Sequence, residues 1–250
     1  MEDSVRQECK QKQAKISIII PTLNEANNIE NAIAATHKCE NVEVIVVDGG
    51  SKDDTVEIIE SLNESLDIQS HTKVIFAPPG RALQMNAGAK IARGEILLFL
   101  HADTRLSTNF DVMVRKTLEN SNYIAGAFTL RIDAPILSLR LVEFGVKLRS
   151  HILKLPYGDQ GIFVRKSTFE KVNGFPELPI MEDFEFIRQL KRTGKITIIP
   201  VPVITSSRRW LKKGVIQTTL INQIVIIAFF LGISPDKLRN WYRQGKLRLF

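Results

Sequence analysis

The sequence predicts an α/β protein built on a Rossmann-like, mostly parallel sheet with helices on both faces. Two observations lead to this fold class. Four short apolar or β-branched runs, typical of buried parallel strands, occur within the first hundred residues. Segments with helical periodicity separate these runs, and strand–helix alternation at such lengths favours a parallel sheet that is covered on both sides.

These first elements can be placed in order. The four strands are predicted at residues 16–20, 42–47, 73–77 and 95–100. Helices are predicted between them at residues 27–36, 53–62 and 81–93. The last helix ends before Gly94, a residue type common just after a helix terminus.

Beyond Asp103 the alternation becomes less regular. Helices are predicted at residues 110–120, 135–155 and 181–193, and strands at 125–132, 161–165 and 196–199. The helix at 135–155 is amphipathic, and its apolar side consists of Leu137, Leu141, Phe144, Leu148 and Ile152.

Composition favours one folded domain with a distinct tail. Hydrophobic residues make up 44% of the 250 residues and charged residues 24%, which is ordinary for a globular protein. We predict a polar leader at residues 1–14, a compact domain at 15–210 and a helical tail at 211–250. The leader has no apolar stretch typical of a secretory signal, and Cys9 and Cys39 form no C-x-x-C pair. These features favour a cytoplasmic location.

The tail carries most of the net charge of +7. From Ile204 onward nine basic residues accompany one acid, Asp236, so this segment alone carries +8. Residues 215–233 approach the roughly 20 residues needed to span a bilayer, but their first half is too polar for lipid on every side. We therefore predict that the tail binds an anionic membrane surface at the inner face of the membrane, and not nucleic acid. The alternative is a helix packed on the compact domain.

On a helix, the apolar residues of this tail segment form one stripe. The stripe consists of Ile216, Leu220, Ile224, Ile227 and Leu231. Basic residues flank it on both sides, which fits a helix lying in the membrane interface better than a spanning helix.

Each of the first four predicted strands ends in polar, Gly-rich or charged residues. Ligands of open α/β sheets bind beyond the carboxyl ends of the strands, so these residues are candidates for a common site. They lie at 21–25, 48–51, 78–81 and 101–103. Neither G-x-G-x-x-G nor G-x-x-x-x-G-K-[ST] occurs in the chain, which argues against Rossmann dehydrogenases and P-loop NTPases.

His101 and Asp103 are candidate metal ligands. Their i, i+2 spacing places both side chains on one face of an extended backbone. Carboxylate and phosphate oxygens suit Mg²⁺ or Mn²⁺, and imidazole is acceptable to Mn²⁺. The alternative is that Asp103 only caps a helix that follows Thr104.

Glu182 and Asp183 begin a predicted helix. One of these carboxylates is a candidate general base for an acceptor hydroxyl, and the alternative is that both only complement the helix dipole. Further candidates for an acceptor side offer carboxylate, amide, cationic and flat apolar groups: Asp159, Gln160, Arg209 and Trp210.

Taken together, these segments resemble the family 2 glycosyltransferases of the GT-A fold. The resemblance covers about residues 15–210 and rests on IIIPTLNE, VVDGGSKDDT, GRALQMNAGAKIARGEILLFLHADT, GIFVRKSTFEKVNGF and MEDFEF, in the family's order. GRALQMNAGA and PYGDQGIFVR are similar to a small bacterial subgroup.

The resemblance implies transfer of a hexose-like sugar from a nucleotide-sugar donor to a hydroxyl of a sugar, lipid or small-molecule acceptor. A divalent metal and inversion at the anomeric carbon are implied as well. By the same resemblance Asp103 binds the metal beside His101, and Asp183 of the Glu182-Asp183 pair is the base. The residues placed at the nucleotide are Pro21, Glu25, Asp48 and Arg81.

Three residues depart from the family pattern. His101 replaces the first Asp of D-x-D, and Gly49 replaces an Asp that often reads uracil, which leaves the donor base open. Ser206 replaces a Gln typical of processive synthases, which argues against a polymerase. The rival functions are a nucleotidyltransferase and a membrane-tethered nucleotide-sugar-binding module without catalysis.

Overall fold

The structure, a computed structural model, describes residues 14–36, 39–65 and 72–244. All but the last residue of the predicted leader lies outside these ranges, as do residues 245–250 of the predicted tail.

The first part of the chain alternates strands and helices as predicted. Its elements are β1 (Ile16–Thr22), α1 (Ile29–Ala34), β2 (Val42–Asp48), α2 (Thr55–Ser65), β3 (Thr72–Phe76), α3 (Arg81–Ile91) and β4 (Ile96–Phe99). The predicted bounds agree to within a few residues, because the apolar runs form strands and the periodic segments form helices that cover the sheet. Strands β1 and β4 are buried along their whole length, whereas β3 is largely half-buried or exposed.

The second part is less regular. Its elements are β5 (Thr104–Arg105), α4 (Phe110–Glu119), β6 (Tyr123–Asp133), α5 (Leu137–Ile152), a 3₁₀ turn (Gly158–Gln160), β7 (Ile162–Arg165), α6 (Lys166–Lys171), α7 (Glu182–Thr193), β8 (Lys195–Ser206), α8 (Arg208–Lys213), α9 (Val215–Phe230) and α10 (Pro235–Gln244). Strand β5 and helix α6 were not predicted from the sequence, and β8 extends well beyond the predicted strand at 196–199.

The eight strands form one sheet in the order β3-β2-β1-β4-β7-β6-β8-β5. Neighbours β3, β2, β1 and β4 are parallel, as are β6 and β8. Strand β7 runs antiparallel to β4 and β6, and β5 antiparallel to β8. The predicted α/β class with a mostly parallel sheet is confirmed, with these two strands as the antiparallel exceptions.

Strand β1 shows why its sequence is continuously apolar. Successive side chains point to opposite faces of a sheet. Ile18 and Ile20 belong to the core on one face, and Ile19 belongs to the core on the other. All three are fully buried, so helices cover this strand on both sides.

Helix α5 turns the apolar side predicted from its periodicity toward solvent. Leu137, Leu141 and Phe144 are 79%, 68% and 66% exposed, whereas Leu139 on the opposite side is fully buried. The helix therefore packs on the domain through one side and presents the other as an exposed apolar face.

Helix α9 packs against the compact domain. Its buried residues Ile221 and Val225 join a cluster with Met181 and Phe184 at the start of α7 and Leu238 of α10. The stripe predicted for this segment is mostly exposed, with Ile216 and Leu231 at 76%, Ile227 at 59% and Leu220 at 55%. Within the described ranges, none of the helices combines the length and the apolar character needed to cross a bilayer.

Candidate functional site

The predicted site residues gather around two adjoining cavities at the carboxyl ends of the strands. The larger cavity, about 630 Å³, is lined by the predicted residues Pro21, Glu25, Arg81, His101, Asp103, Glu182 and Arg209. The smaller, about 230 Å³, adds Asp159, Asp183 and Trp210 and shares Arg81, His101, Asp103 and Arg209 with the first. Only Asp48 and Gln160 of the predicted set line neither cavity.

Asp48 organises the loop that follows β2. It is almost fully buried, and its carboxylate accepts hydrogen bonds from the backbone N–H groups of Gly50 (2.7 Å) and Ser51 (2.8 Å) and from the Ser51 hydroxyl. Both carboxylate oxygens are thus engaged by the turn, so Asp48 holds the conformation of the loop after β2.

Gln84 ties two strand ends together. From α3 its buried side-chain amide donates to the carbonyl oxygens of Thr22 (2.8 Å) and Val47 (2.7 Å). A Cβ at Gly49 would lie 3.1 Å from the Gln84 Nε2. Sequence reasoning missed this residue, because a glutamine in a helical segment is usually a solvent-facing residue.

Glu25 lines the larger cavity and forms an ion pair with Arg208. Its carboxylate accepts from Arg208 at 2.7 Å and from the Asn28 amide at 2.6 Å. Its backbone N–H donates to the Thr55 hydroxyl at 2.9 Å. Arg208 begins α8, so this pair links the loop after β1 to the helix that leads into the tail.

Asp103 does not cap a helix. Thr104 and Arg105 form β5, which pairs with β8, and the next helix begins only at Phe110. The Asp103 carbonyl oxygen accepts the Ser206 N–H at 2.9 Å, which fixes this backbone against β8. The helix-cap alternative is therefore wrong, and the Asp103 side chain lines both cavities.

His101 and Asp183 approach each other around Gly158. The Asp183 carboxylate accepts the backbone N–H groups of Gly158 and Phe184, each at 2.7 Å. A Cβ on Gly158 would lie 2.9 Å from His101 Nε2 and 3.1 Å from Asp183 Oδ2, so a side chain at this position would displace these two groups. Two backbone donors thus hold the Asp183 carboxylate in a fixed orientation.

The charges around Arg81 divide the roles of the neighbouring groups. The Arg81 Nε lies 2.9 Å from the Glu182 carboxylate, and the Glu182 side chain is only 3% exposed. The negative charge of Glu182 raises the pKa of Arg81. Burial and the Arg81 guanidinium lower the pKa of His101, so its imidazole is neutral at pH 7. Glu182 is engaged in orienting Arg81, whereas Asp183 faces the smaller cavity.

Asp103 and His101 determine whether a divalent metal ion fits this site. Asp103 offers a carboxylate and His101 a neutral imidazole, and the described residues contain no group of three or more His, Cys, Asp or Glu that would form a complete protein cage. Mg²⁺ and Mn²⁺ sites in phosphate-transferring enzymes typically use one or two protein ligands and complete their coordination with phosphate and water. The donor set fits such an ion.

The remaining predicted residues sit at the smaller cavity. Burial raises the pKa of Asp159 to about 6. Burial and Arg81 lower the pKa of Arg209 to about 10, and its guanidinium lies 3.7 Å from the Tyr242 ring centroid. Gln160, by contrast, is fully buried behind the wall.

The Gln160 side chain belongs to the framework of the wall. Its amide donates to the Phe128 carbonyl at 2.9 Å, and its oxygen accepts from Arg149 at 3.2 Å. Arg149 in turn stacks on Tyr157 at 3.3 Å from the ring centroid. Gln160 therefore positions the wall and does not face the cavity.

Comparison with known proteins decides the family. Residues 17–214 match the model of glycosyl transferase family 2. The chain belongs to this family. The resemblance stated from sequence is confirmed, and the protein is a family 2 glycosyltransferase.

Relatives of this glycosyltransferase match over part of their length. An uncharacterized glycosyltransferase of Rickettsia bellii is 34% identical over 117 residues, 45% of this chain and 16% of the relative. A PGL/p-HBAD biosynthesis glycosyltransferase of Mycobacterium bovis is 40% identical over 96 residues, 36% of each chain. The matched segments thus span well under half of these relatives.

Solved structures share the fold at low identity. S. aureus TarS 1-349 in complex with UDP-GlcNAc superposes with a TM-score of 0.62 at 18% identity, covering 92% of this chain and 72% of that one. The mannosyltransferase PcManGT from Pyrobaculum calidifontis, in complex with GDP-Man and Mn²⁺, gives 0.61 at 18%, covering 81% and 62%. These likenesses establish the GT-A fold of the family 2 enzyme.

Proposed function

We propose that this glycosyltransferase moves a hexosyl group from a nucleotide-sugar donor to an acceptor hydroxyl, with a divalent metal and with inversion at the anomeric carbon. The observation that carries the proposal is the placement of Asp103 and Asp183 on one cavity at the carboxyl edge of the sheet. One carboxylate would serve the donor and the other the acceptor. The UDP-GlcNAc and GDP-Man bound by the two structural neighbours support a nucleotide-sugar donor.

On the donor side, Pro21, Glu25 and Arg81 line the larger cavity, where we place the nucleotide diphosphate. Asp103 and His101 would hold Mg²⁺ or Mn²⁺, which when bound neutralises charge on the departing diphosphate. The Arg81 and Arg209 guanidiniums add positive charge beside the same cavity, and pre-oriented charge of this kind stabilises a developing anion.

On the acceptor side, Asp183 would take the proton from the attacking hydroxyl. As the acceptor oxygen bonds to the anomeric carbon, the bond from that carbon to the diphosphate oxygen breaks, and the configuration inverts. Its two backbone hydrogen bonds hold the carboxylate in one orientation for this step. Glu182 is a weaker candidate because Arg81 occupies its carboxylate.

Calorimetry with a panel of nucleotide sugars, with and without Mn²⁺, together with a sugar-transfer assay, tests this function. We expect donor binding that strengthens with Mn²⁺ and transfer to an added acceptor. Metal-dependent donor binding without transfer would favour a binding module. Release of pyrophosphate when a nucleoside triphosphate and a sugar 1-phosphate are supplied, with formation of a nucleotide sugar, would favour a nucleotidyltransferase.

We also propose that the enzyme attaches to an anionic membrane surface at the cytoplasmic face. The exposed apolar faces of α5 and α9 support this, because contiguous exposed apolar surface is typical of protein or membrane contacts. Exposed lysines accompany both helices: Lys147 on α5, Lys154 after it and Lys212 before α9. Each basic residue near an anionic leaflet contributes about 1 kcal/mol.

Co-sedimentation with phosphatidylglycerol vesicles tests this attachment. Binding should weaken in high salt and fall in Phe144→Asp, while Phe76→Asp serves as the matched control, since Phe76 is similarly exposed (70%) but lies on β3. Equal binding to neutral vesicles in high salt would indicate insertion, and no binding to any vesicle would contradict the proposal.

A further inference from the structure

We propose that the acceptor carries an aliphatic chain and that this chain lies in a groove between helices α5 and α9. The inference rests on the proposed function and narrows its acceptor to an amphiphile, an alcohol or glycoside with a hydrophobic tail. Three features of the described residues carry it: the groove itself, the polar atoms at its inner end and the exposed apolar faces at its outer end.

The groove has a volume of about 610 Å³. Its walls are largely apolar, with Val142 and Val146 from α5, Ile226 and Phe230 from α9, and Leu155 from the connection after α5. Apolar walls on two sides favour an apolar occupant, because burial of hydrocarbon is favourable in proportion to the area removed from water.

The inner end of the groove meets the candidate active site. Six residues line both the groove and the cavity that contains Asp103 and Asp183: Tyr157, Asp159, Phe184, Trp210, Asn222 and Ile226. An occupant of the groove would therefore place its head beside the Asp183 carboxylate. This continuity distinguishes the reacting molecule from a partner protein, which would cover the outer surface without reaching the catalytic carboxylate.

Polar atoms without partners mark this junction. Asp159 Oδ1, Asn222 Oδ1 and Trp210 Nε1 are buried and have no hydrogen-bond partner among the described residues. Buried polar atoms are nearly always hydrogen-bonded in native proteins, so three such atoms around one cavity should take their partners from groups outside the protein chain, and a bound head group can supply them. Two acceptors and one donor suit a head group that bears hydroxyls.

The outer end opens on the exposed apolar faces. Leu141, Leu153 and Phe230 line the groove and are themselves 68%, 54% and 61% exposed. A chain longer than the groove would continue onto this surface, which is the surface proposed above to face the membrane. The acceptor would then reach the site from the lipid side, and the sugar donor from the larger cavity, which the charged residues Arg81, Asp103 and Arg209 line.

Gly145 allows the groove to be blocked with little disturbance. It lies on the groove wall in α5, and a Cβ built on it meets no atom within 4 Å. Glycine in a helix interior is unfavourable relative to other residues, so Gly145→Phe should fold at least as well as the wild type. Val112→Phe is the control, since Val112 is an exposed apolar residue of another helix, α4.

The experiment measures binding of n-alkyl β-D-glucosides, from butyl to decyl, to the full chain below micelle-forming concentrations. For the wild type and Val112→Phe we expect the affinity to rise about threefold to fourfold per added methylene, the factor expected when each CH₂ leaves water. In Gly145→Phe this dependence on chain length should disappear. A nucleotide-sugar titration of each variant reports separately on the donor site.

Two outcomes would contradict the proposed binding in the groove. One is a wild-type affinity that does not change with chain length. The other is an equal increase in affinity per methylene in Gly145→Phe, which would mean that the chains adsorb to the outer apolar faces. Failure of the proposed function looks different. Chain-length dependence that Gly145→Phe abolishes, in a protein that binds no nucleotide sugar, would support the groove and contradict the glycosyl donor.

Discussion

The two parts of the molecule treat their polar and apolar groups in opposite ways. We call described residues up to 135 the donor half and those from 136 the acceptor half. Among the residues that the structure describes, every buried side-chain polar atom without a partner lies in the acceptor half, between Arg140 and Arg239. Of the large apolar side chains that are exposed, only Leu23, Phe76 and Val112 belong to the donor half.

This difference suggests that the two halves have separate roles in the proposed reaction, one in binding the donor and the other in binding the acceptor. None of the described residues of the donor half has a buried side-chain polar atom without a partner, and the Asp48 turn and the Gln84 bridge are examples of this pairing. Such a region suits the preformed site that we propose for a charged donor. The acceptor half keeps unpaired polar atoms inside and apolar surface outside, as expected of a region completed by an amphiphilic ligand and a membrane.

The largest expected effect comes from Asp183→Asn. Removing a positioned base typically lowers the rate by about 10²–10⁴, so transfer should nearly vanish while donor binding is retained, because Asp183 lies on the acceptor side. Glu185→Gln is the matched control, since Glu185 lies in the same helical turn but pairs with Arg188 at 2.7 Å. Unchanged turnover in Asp183→Asn would move the base to Glu182 or Asp159.

Asp103→Ala should affect the donor half instead. We expect it to reduce Mn²⁺-dependent donor affinity by at least about 10- to 100-fold, the loss usual even for outer-shell changes at metal sites. The measurement is calorimetry with and without Mn²⁺ on a folded variant, beside Asp133→Ala, whose exposed carboxylate only pairs with Arg105. Full metal-dependent affinity in Asp103→Ala would show that the ion binds elsewhere.

A pair of amide substitutions tests the contrast between the halves directly. Gln84→Leu should lower the free energy of unfolding by about 1–3 kcal/mol, because it removes the two buried hydrogen bonds that the Gln84 amide donates to the Thr22 and Val47 carbonyls. Asn222→Leu should leave stability unchanged or raise it, because its Oδ1 has no partner to lose. Denaturant unfolding measures the free energy of unfolding of both variants. Equal destabilisation would contradict the difference in polar pairing between the two halves.

The smallest effect concerns Asp159 and pH. Burial raises its pKa to about 6 in the folded protein, so its charged form penalises folding. The penalty is absent below the unfolded value near 4 and fully present above about 6. Asp159→Asn should therefore raise the free energy of unfolding at pH 7.5 by up to about 2 kcal/mol and change it little at pH 4. The control is Asp133→Asn, and an equal gain at both pH values would contradict this origin.

The site residues of the donor half could be predicted from the sequence, because each of them follows a strand that the local sequence pattern identifies. Parallel strands end at one edge, so residues just past each strand, such as Arg81 and Asp103, had to converge. Gln84 escaped prediction because its burial depends on two strand ends that are distant in sequence. The helix-cap alternative for Asp103 likewise needed β5 pairing with β8, a contact between residues about one hundred positions apart.

In the acceptor half, the exposed helix faces and the groove could not be predicted, because they too depend on contacts between distant parts of the chain. Periodicity identified which residues share one side of α5 and of the tail helix, but it does not say what that side meets. The exposure of Phe144 and Ile216 and the groove between the helices follow from how α5 and α9 dock, which no local pattern encodes. Gln160 shows the same limit, since the sequence placed it on the acceptor wall without revealing that it faces inward.

The most direct test of the division into two halves is a crystal structure of Asp183→Asn with a bound nucleotide sugar and Mn²⁺. We expect the diphosphate in the larger cavity, an anomalous Mn²⁺ signal at coordinating distance from the Asp103 carboxylate, and the anomeric carbon facing Asn at position 183. A nucleotide bound on the side of α5 and α9, or Mn²⁺ away from Asp103, would contradict the account.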